Sequence, residues 1–301
     1  MGRHRRRLRP RRRVIEALFG PFAEFSFLRR ALVGCLALSV SAAPLGMVLM
    51  LRRMSLTGDV LAHGILPGVA AGFLVGGVSV VALAAGGLAG GLAVALGAGA
   101  LSRATGGRED ASLAAAYLVA LAFGVALVST VADSVEVMAL LFGSVLGVDD
   151  AALLLMCGVA TLTLFVLAFA WRPLVLECFD PGFAAAEGAR GGLWHLVFLA
   201  LVVLNVVAAI AALGTLMAVG LLMLPAIAAR HWAAEVAGIA KVAAGIGAGA
   251  SVLGLLISYH ADLPSGPAIV LAAGAAWAVS VGAGPVDSLL VRFARRRHLA
   301  G

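Results

Sequence analysis

Hydrophobic residues run along this chain in long blocks of about helix-crossing length, broken by short polar connections. Runs near 20 apolar residues fall at about 31–51, 58–76, 78–101, 113–132, 151–171, 193–213, 214–230, 236–258 and 267–285, with a shorter apolar piece at 136–147. A helix rising 1.5 Å per residue needs about 20 apolar residues to cross a hydrocarbon core. The pattern therefore predicts an all-α polytopic membrane protein, a bundle of about nine transmembrane helices. Its expected organisation is an Arg-rich tail and interfacial segment over 1–28, a transmembrane domain over 29–290 and a basic tail over 291–301.

Composition supports that class. With 62% hydrophobic residues, a mean hydropathy of +1.08 and 38 glycines, the chain lacks the polar surface of a soluble fold. The formal charge of +7 is local. Removing the eight arginines between Arg3 and Arg13 from the 22 Lys and Arg leaves 14 against 15 acids, a net of −1. The basic arm is thus a tail that can touch anionic lipid headgroups or stay solvated, and not a nucleic-acid face. Val14 to Leu28 follows it, but Glu16, Pro21 and Glu24 interrupt any secretory-type apolar core, so a short interfacial helix is expected there. Cys35, Cys157 and Cys178 stand singly and suggest neither a disulfide framework nor a cysteine metal site.

Arg52 and Arg53, Arg103 and Arg108, Arg172 and Arg190, Arg230 with Lys241, and Arg292 to Arg297 all fall on one side if the spans alternate. The positive-inside rule makes that side cytoplasmic. Asp133 and Glu136, Asp149 and Asp150, and the stretch from Tyr259 to Pro267 then face outward. Nine alternating crossings place the N-terminal arginines outside, against the same rule, unless residues 14–28 re-enter the membrane; the side of the N-terminus is left open.

Glycines at 86, 87, 90, 91, 97 and 99 in the third span, and at 245, 247 and 249 in the eighth, permit close helix approach. Pro67 with Gly68, and Pro225, put breaks or kinks inside spans, where freed carbonyls often line a cavity. The most informative polar residues are Asp59 and His63. Four apart, they share one helical face and can hold a divalent cation between oxygen and nitrogen. Carboxylate with neutral imidazole suits zinc or manganese, and two ligands from one chain, completed by water or a partner, would bind weakly enough to release the ion. The plainer alternative is that Asp59 caps a helix and His63 donates to a backbone carbonyl.

Other candidates carry less. His260 and Asp262, two apart on the outer side, can contact another protein or simply be solvated, and Asp133 and Glu136 can draw cations to an outer mouth by their field. His195, His231 and His298 read as interfacial, Glu109 and Asp110 as a helix start, and Met47, Met50 and Met54 as packing. The single lysine, Lys241, precedes Val242, so no phosphate-binding Gly-x-x-x-x-Gly-Lys-[Ser/Thr] loop exists; any ATP that drives transport binds another chain. Neither His-Glu-x-x-His nor Gly-x-Ser-x-Gly occurs, which disfavours an intramembrane enzyme. Asp180-Pro181 can start a short helix that Gly188 ends, within the polar stretch 172–190.

Four runs taken together resemble a known family: Arg53 to Gly68, Leu141 to Leu146, Gly214 to Ala226, and Asp262 to Pro267. In order and spacing they are similar to the membrane permeases of bacterial zinc, manganese and iron ABC importers, over about residues 25–285. The resemblance implies a permease homodimer, a cytoplasmic ATPase dimer holding ATP and magnesium, and an extracytoplasmic metal-binding protein, with no cofactor bound by this chain. It also implies a coupling helix within 172–190, where Phe179, Asp180, Ala184 and Gly188 match the pattern. Two rival readings are a secondary metal transporter, which needs no ATPase, and an ABC permease for cobalamin or iron-chelate, whose wide cavity needs no paired Asp and His.

Overall fold

The computed structural model describes residues 20–54, 56–77, 79–106, 109–129, 148–179 and 191–291. Ten helices account for most of them: α1 (Ser26–Leu51), α2 (Thr57–Gly64), α3 (Leu66–Gly76), α4 (Val80–Thr105), α5 (Glu109–Ser129), α6 (Asp150–Phe179), α7 (Gly191–Leu213), α8 (Thr215–Ala229), α9 (Val236–Ala261) and α10 (Ser265–Ala283). Every expected span is helical over most of its described residues. Seven of the described spans are long and apolar enough to cross a membrane, counting α2 with α3 as one, while α5 and α8 contribute shorter apolar stretches, Ala111–Leu127 and Thr215–Ala229. The apolar piece at 136–147, with Asp133 and Glu136, lies outside the described residues, as do Asp180, Ala184 and Gly188 and most of both tails.

One break falls where Pro67 places it, and one boundary differs from expectation. The second span is two helices, because Pro67 in the first turn of α3 has no N–H to give the carbonyl four residues back, and the chain turns at Ile65. The polar stretch expected from 172 begins inside α6, which runs through Pro173 to Phe179. Asp149 starts that helix by accepting the Ala152 N–H at 2.7 Å. Pro225, in contrast, sits within α8 without ending it.

The centre of the bundle is α1, the most enclosed helix, which packs against α6, α8 and α9. Its Gly46 lies so close to α8 that a Cβ there would meet the Leu222 carbonyl oxygen at 1.8 Å. The pair α3 and α4 is equally tight: a Cβ on Gly68 would lie 2.1 Å from the Gly86 oxygen and 2.8 Å from Gly90 Cα. These contacts bear out the close approach expected of Gly86 and Gly90. At Gly97, Gly245 and Gly249 an added Cβ would meet nothing within 4 Å, and these three play no such part within the chain.

Polar side chains join the same helices. Asn205 on α7, almost fully buried, accepts from the Ser41 hydroxyl of α1 at 2.8 Å and donates from its amide to Thr163 of α6 at 2.7 Å and to the Leu201 carbonyl at 2.9 Å. Ser39 of α1 meets Ser251 of α9 at 3.2 Å. Every group in these links has a partner, as burial requires.

Two stability outcomes are expected for purified protein in detergent. Gly68→Val should force α3 from α4 and destabilise the fold by about 1–3 kcal/mol, read as a lower melting temperature by intrinsic fluorescence. Asn205→Leu should cost about 1–3 kcal/mol by stranding Ser41 and Thr163, whereas Gly97→Ala should leave the melting temperature within error.

Candidate metal-transport site

The chain leaves α1 through a tight reversal. Arg53 takes a left-handed conformation (φ 60°), and Met54 N–H returns to the Leu49 carbonyl at 2.9 Å. Thr57 N–H then bonds the Met54 carbonyl at 3.0 Å as α2 begins. Asp59 falls in the first turn of α2, where the helix dipole favours an anion, and His63 in the last, where it favours a proton donor.

Packing decides which face they present. Thr57, Gly58, Val60, Leu61, Ala62 and Gly64 are all buried. Gly58 faces Leu222 and Met223 of α8, and Gly64 faces Val94 of α4. The face left over carries Asp59 and His63, with side chains 55% and 34% exposed. His63 Nε2 stands 3.6 Å from Asp59 Oδ1, outside hydrogen-bond range, so the two form a loose pair with lone pairs available to a cation. The Tyr117 ring of α5 lies 6.2 Å from the imidazole centroid, tilted by 35°, and borders the pair on one side.

Among the described residues no group of three His, Cys, Asp or Glu side chains converges. One chain therefore offers one carboxylate and one imidazole on this face, with no third such side chain among the described residues. Pro67 and Gly68 lie directly beyond the pair, packed on α4 and α5. Pro225 is buried against Gly247 of α9, one turn past the Leu222–Met223 contact with Gly58. His260 and Asp262 are not brought to the site. They end α9 beside Tyr259, which stacks at 5.8 Å on Phe25 next to the start of α1, whereas Asp59 follows the far end of that helix, about 39 Å away along its axis. His260 Nδ1 bonds its own helix at the Leu256 carbonyl (3.0 Å), and Asp262 is an exposed left-handed cap (φ 51°). Phe179 is the exposed last residue of α6.

The sequence reading missed a second polar cluster. Arg52, treated only as a marker of sidedness, ion-pairs through Nη2 with Glu177 Oε2 at 3.3 Å; the two side chains are 9% and 11% exposed. It also donates from Nε to Cys178 Sγ at 3.3 Å, contacts His195 Nδ1 through Nη1, and lies over the Phe198 ring at 5.2 Å. The available signal was that Arg52, Glu177 and His195 all fall at span ends that the alternation of spans puts on one membrane side.

Comparison with known proteins agrees with the fold. The ABC-3 family, described as the ABC 3 transport family, matches residues 24–283. The manganese import system permease protein ScaB of Streptococcus gordonii is 32% identical over 93% of this chain and 99% of its own length. The chelated iron transport system membrane protein YfeD of Yersinia pestis is 32% identical over 83% of each chain. A solved chain of PsaBC from Streptococcus pneumoniae, in complex with Fab, superposes with a TM-score of 0.82 at 28% identity, covering 91% of this chain and 97% of that one. With a family match along most of its length and relatives above 30% identity, the chain belongs to the ABC 3 transport family, as a multi-pass membrane permease subunit that moves metal ions and is not an enzyme.

Proposed function

We propose that this permease imports manganese first among divalent cations, with zinc as the competing candidate, through a site built on Asp59 and His63. The observation that carries the reading is the exposure pattern of α2, which buries six of its residues and leaves this carboxylate–imidazole stripe open. The names of ScaB and YfeD, which specify manganese and chelated iron, support an ion of this class. Asp and His are ligands that manganese accepts and that also fit zinc, so the donor set alone does not exclude either.

Two ligands per chain become four if a second copy presents the same stripe across a two-fold axis, a self-complementary arrangement that favours a homodimer. Transport is powered by a cytoplasmic ATPase dimer, and an extracytoplasmic binding protein hands over the ion. Phe179, at the end of α6, together with Asp180, Ala184 and Gly188, forms the coupling contact with the ATPase. The acids Asp133 and Glu136, and His260 with Asp262 at the opposite end from Asp59, serve the outer mouth, where the ion arrives.

The test is uptake of radioactive Mn²⁺ by cells without their own high-affinity importers, supplied with this chain, its ATPase and its binding protein. At equal membrane abundance, Asp59→Ala and His63→Ala should each lower the initial rate by about ten- to a hundredfold. Unchanged rates in both variants would make the pair structural.

A further inference from the structure

The Arg52 cluster is absorbed by neither the bundle's packing nor the metal site. Its residues come from three places: the C-terminal end of α1, the last turn of α6 and the first turns of α7. Glu177 and Cys178 stand just before residues 180–190, and His195 and Phe198 just after them. Arg52 thus grips both ends of that connection. On its other side it leads into α2 by a short, hydrogen-bonded path, since the bonds from Met54 to Leu49, Thr57 to Met54 and Val60 to Leu56 continue the backbone ladder through the reversal.

A buried ion pair is a poor way to gain stability, because desolvation offsets most of the attraction and apolar residues of like volume do as well. The pair here is also held loosely. Among the described residues Arg52 Nη2 and Glu177 Oε2 are buried without a well-directed hydrogen bond, so charge attraction alone joins them. The left-handed Arg53 adds backbone strain, which persists only where the surroundings impose it.

We propose that Arg52 is a positioning residue for transport, a pin that fastens the start of α2, and with it Asp59 and His63, to the helix ends bracketing residues 180–190. Displacement of those ends is then delivered to the metal site through one guanidinium. This rests on the reading of 180–190 as the ATPase contact and of Asp59 and His63 as the ion site. Cys178, His195 and Phe198 hold the guanidinium plane in place, and Glu177 supplies the charge that makes it follow α6.

The experiment uses the full complex of permease, ATPase and binding protein in proteoliposomes, measuring radioactive Mn²⁺ uptake and ATP hydrolysis on the same sample. Glu177→Gln, which keeps the volume, and Arg52→Gln should lower the ions moved per ATP by about tenfold while hydrolysis continues. The exchange Arg52→Glu with Glu177→Arg should recover most of the ratio. A ratio equal to that of the unaltered protein in both single variants overturns the proposal, as does a parallel fall of uptake and hydrolysis at constant ratio, the mark of a merely structural role. Failure of every variant to assemble also counts against it, because a pin for motion is dispensable for folding. Asp59→Ala in the same liposomes separates the two readings: if it transports normally, the ion site falls, whereas normal coupling in the Arg52 and Glu177 variants alone removes only the pin.

Discussion

Helix seated on helix at backbone distance is the constraint from which the rest of this bundle follows. Lipid tails are as apolar as the side chains they would replace, so burial alone does not draw two membrane helices together. Contact must come from dispersion at short range and from polar groups with no other partner. Gly46 against Leu222 and Gly68 against Gly86 supply the first, and the chain Ser41–Asn205–Thr163 supplies the second. Both fix where α1, α3, α4 and α8 stand, and α2 packs against α5, α7, α8 and α4 with only one stripe uncovered.

That stripe shows how packing selects chemistry. An eight-residue helix has too few hydrogen bonds to stand alone, so its orientation is imposed by neighbours. Leu222, Met223 and Val94 press on its glycine faces, and the carboxylate and imidazole are turned outward as a result. The selection is steric first and electrostatic second. A loosely spaced pair, 3.6 Å apart, has not satisfied itself internally.

Much of this was readable in the residues. Runs of apolar length marked each span, because hydrocarbon thickness imposes a minimum that few polar interruptions survive. Asp59 and His63 stood out because ionisable groups among apolar neighbours are rare and costly. What escaped were features that depend on three-dimensional proximity. Arg52 lies more than a hundred residues from both Glu177 and His195 along the chain, and each alone looks like an ordinary boundary residue. The glycines divided the same way: identical in sequence, Gly86 touches a neighbouring backbone and Gly97 touches nothing, since only helix rotation distinguishes them. The break at Ile65 was legible from Pro67, yet Pro225 leaves its helix whole, because a proline's effect depends on whether neighbours hold the flanking turns in line.

The length of α6 has a mechanical meaning. Thirty residues make a rod of about 45 Å, against a hydrocarbon layer of about 30 Å. Hiding it by tilt alone would need an inclination of nearly 50°, beyond the roughly 40° that membrane helices reach. One end must therefore protrude. Pro173 stands about 36 Å from the start of the rod, so if Asp150 sits at one face of the layer, the turns that carry Glu177 form a stub beyond the other. A force applied to that stub acts on a long arm with the bilayer as its fulcrum, and a small sideways push outside becomes a rotation of the whole helix within.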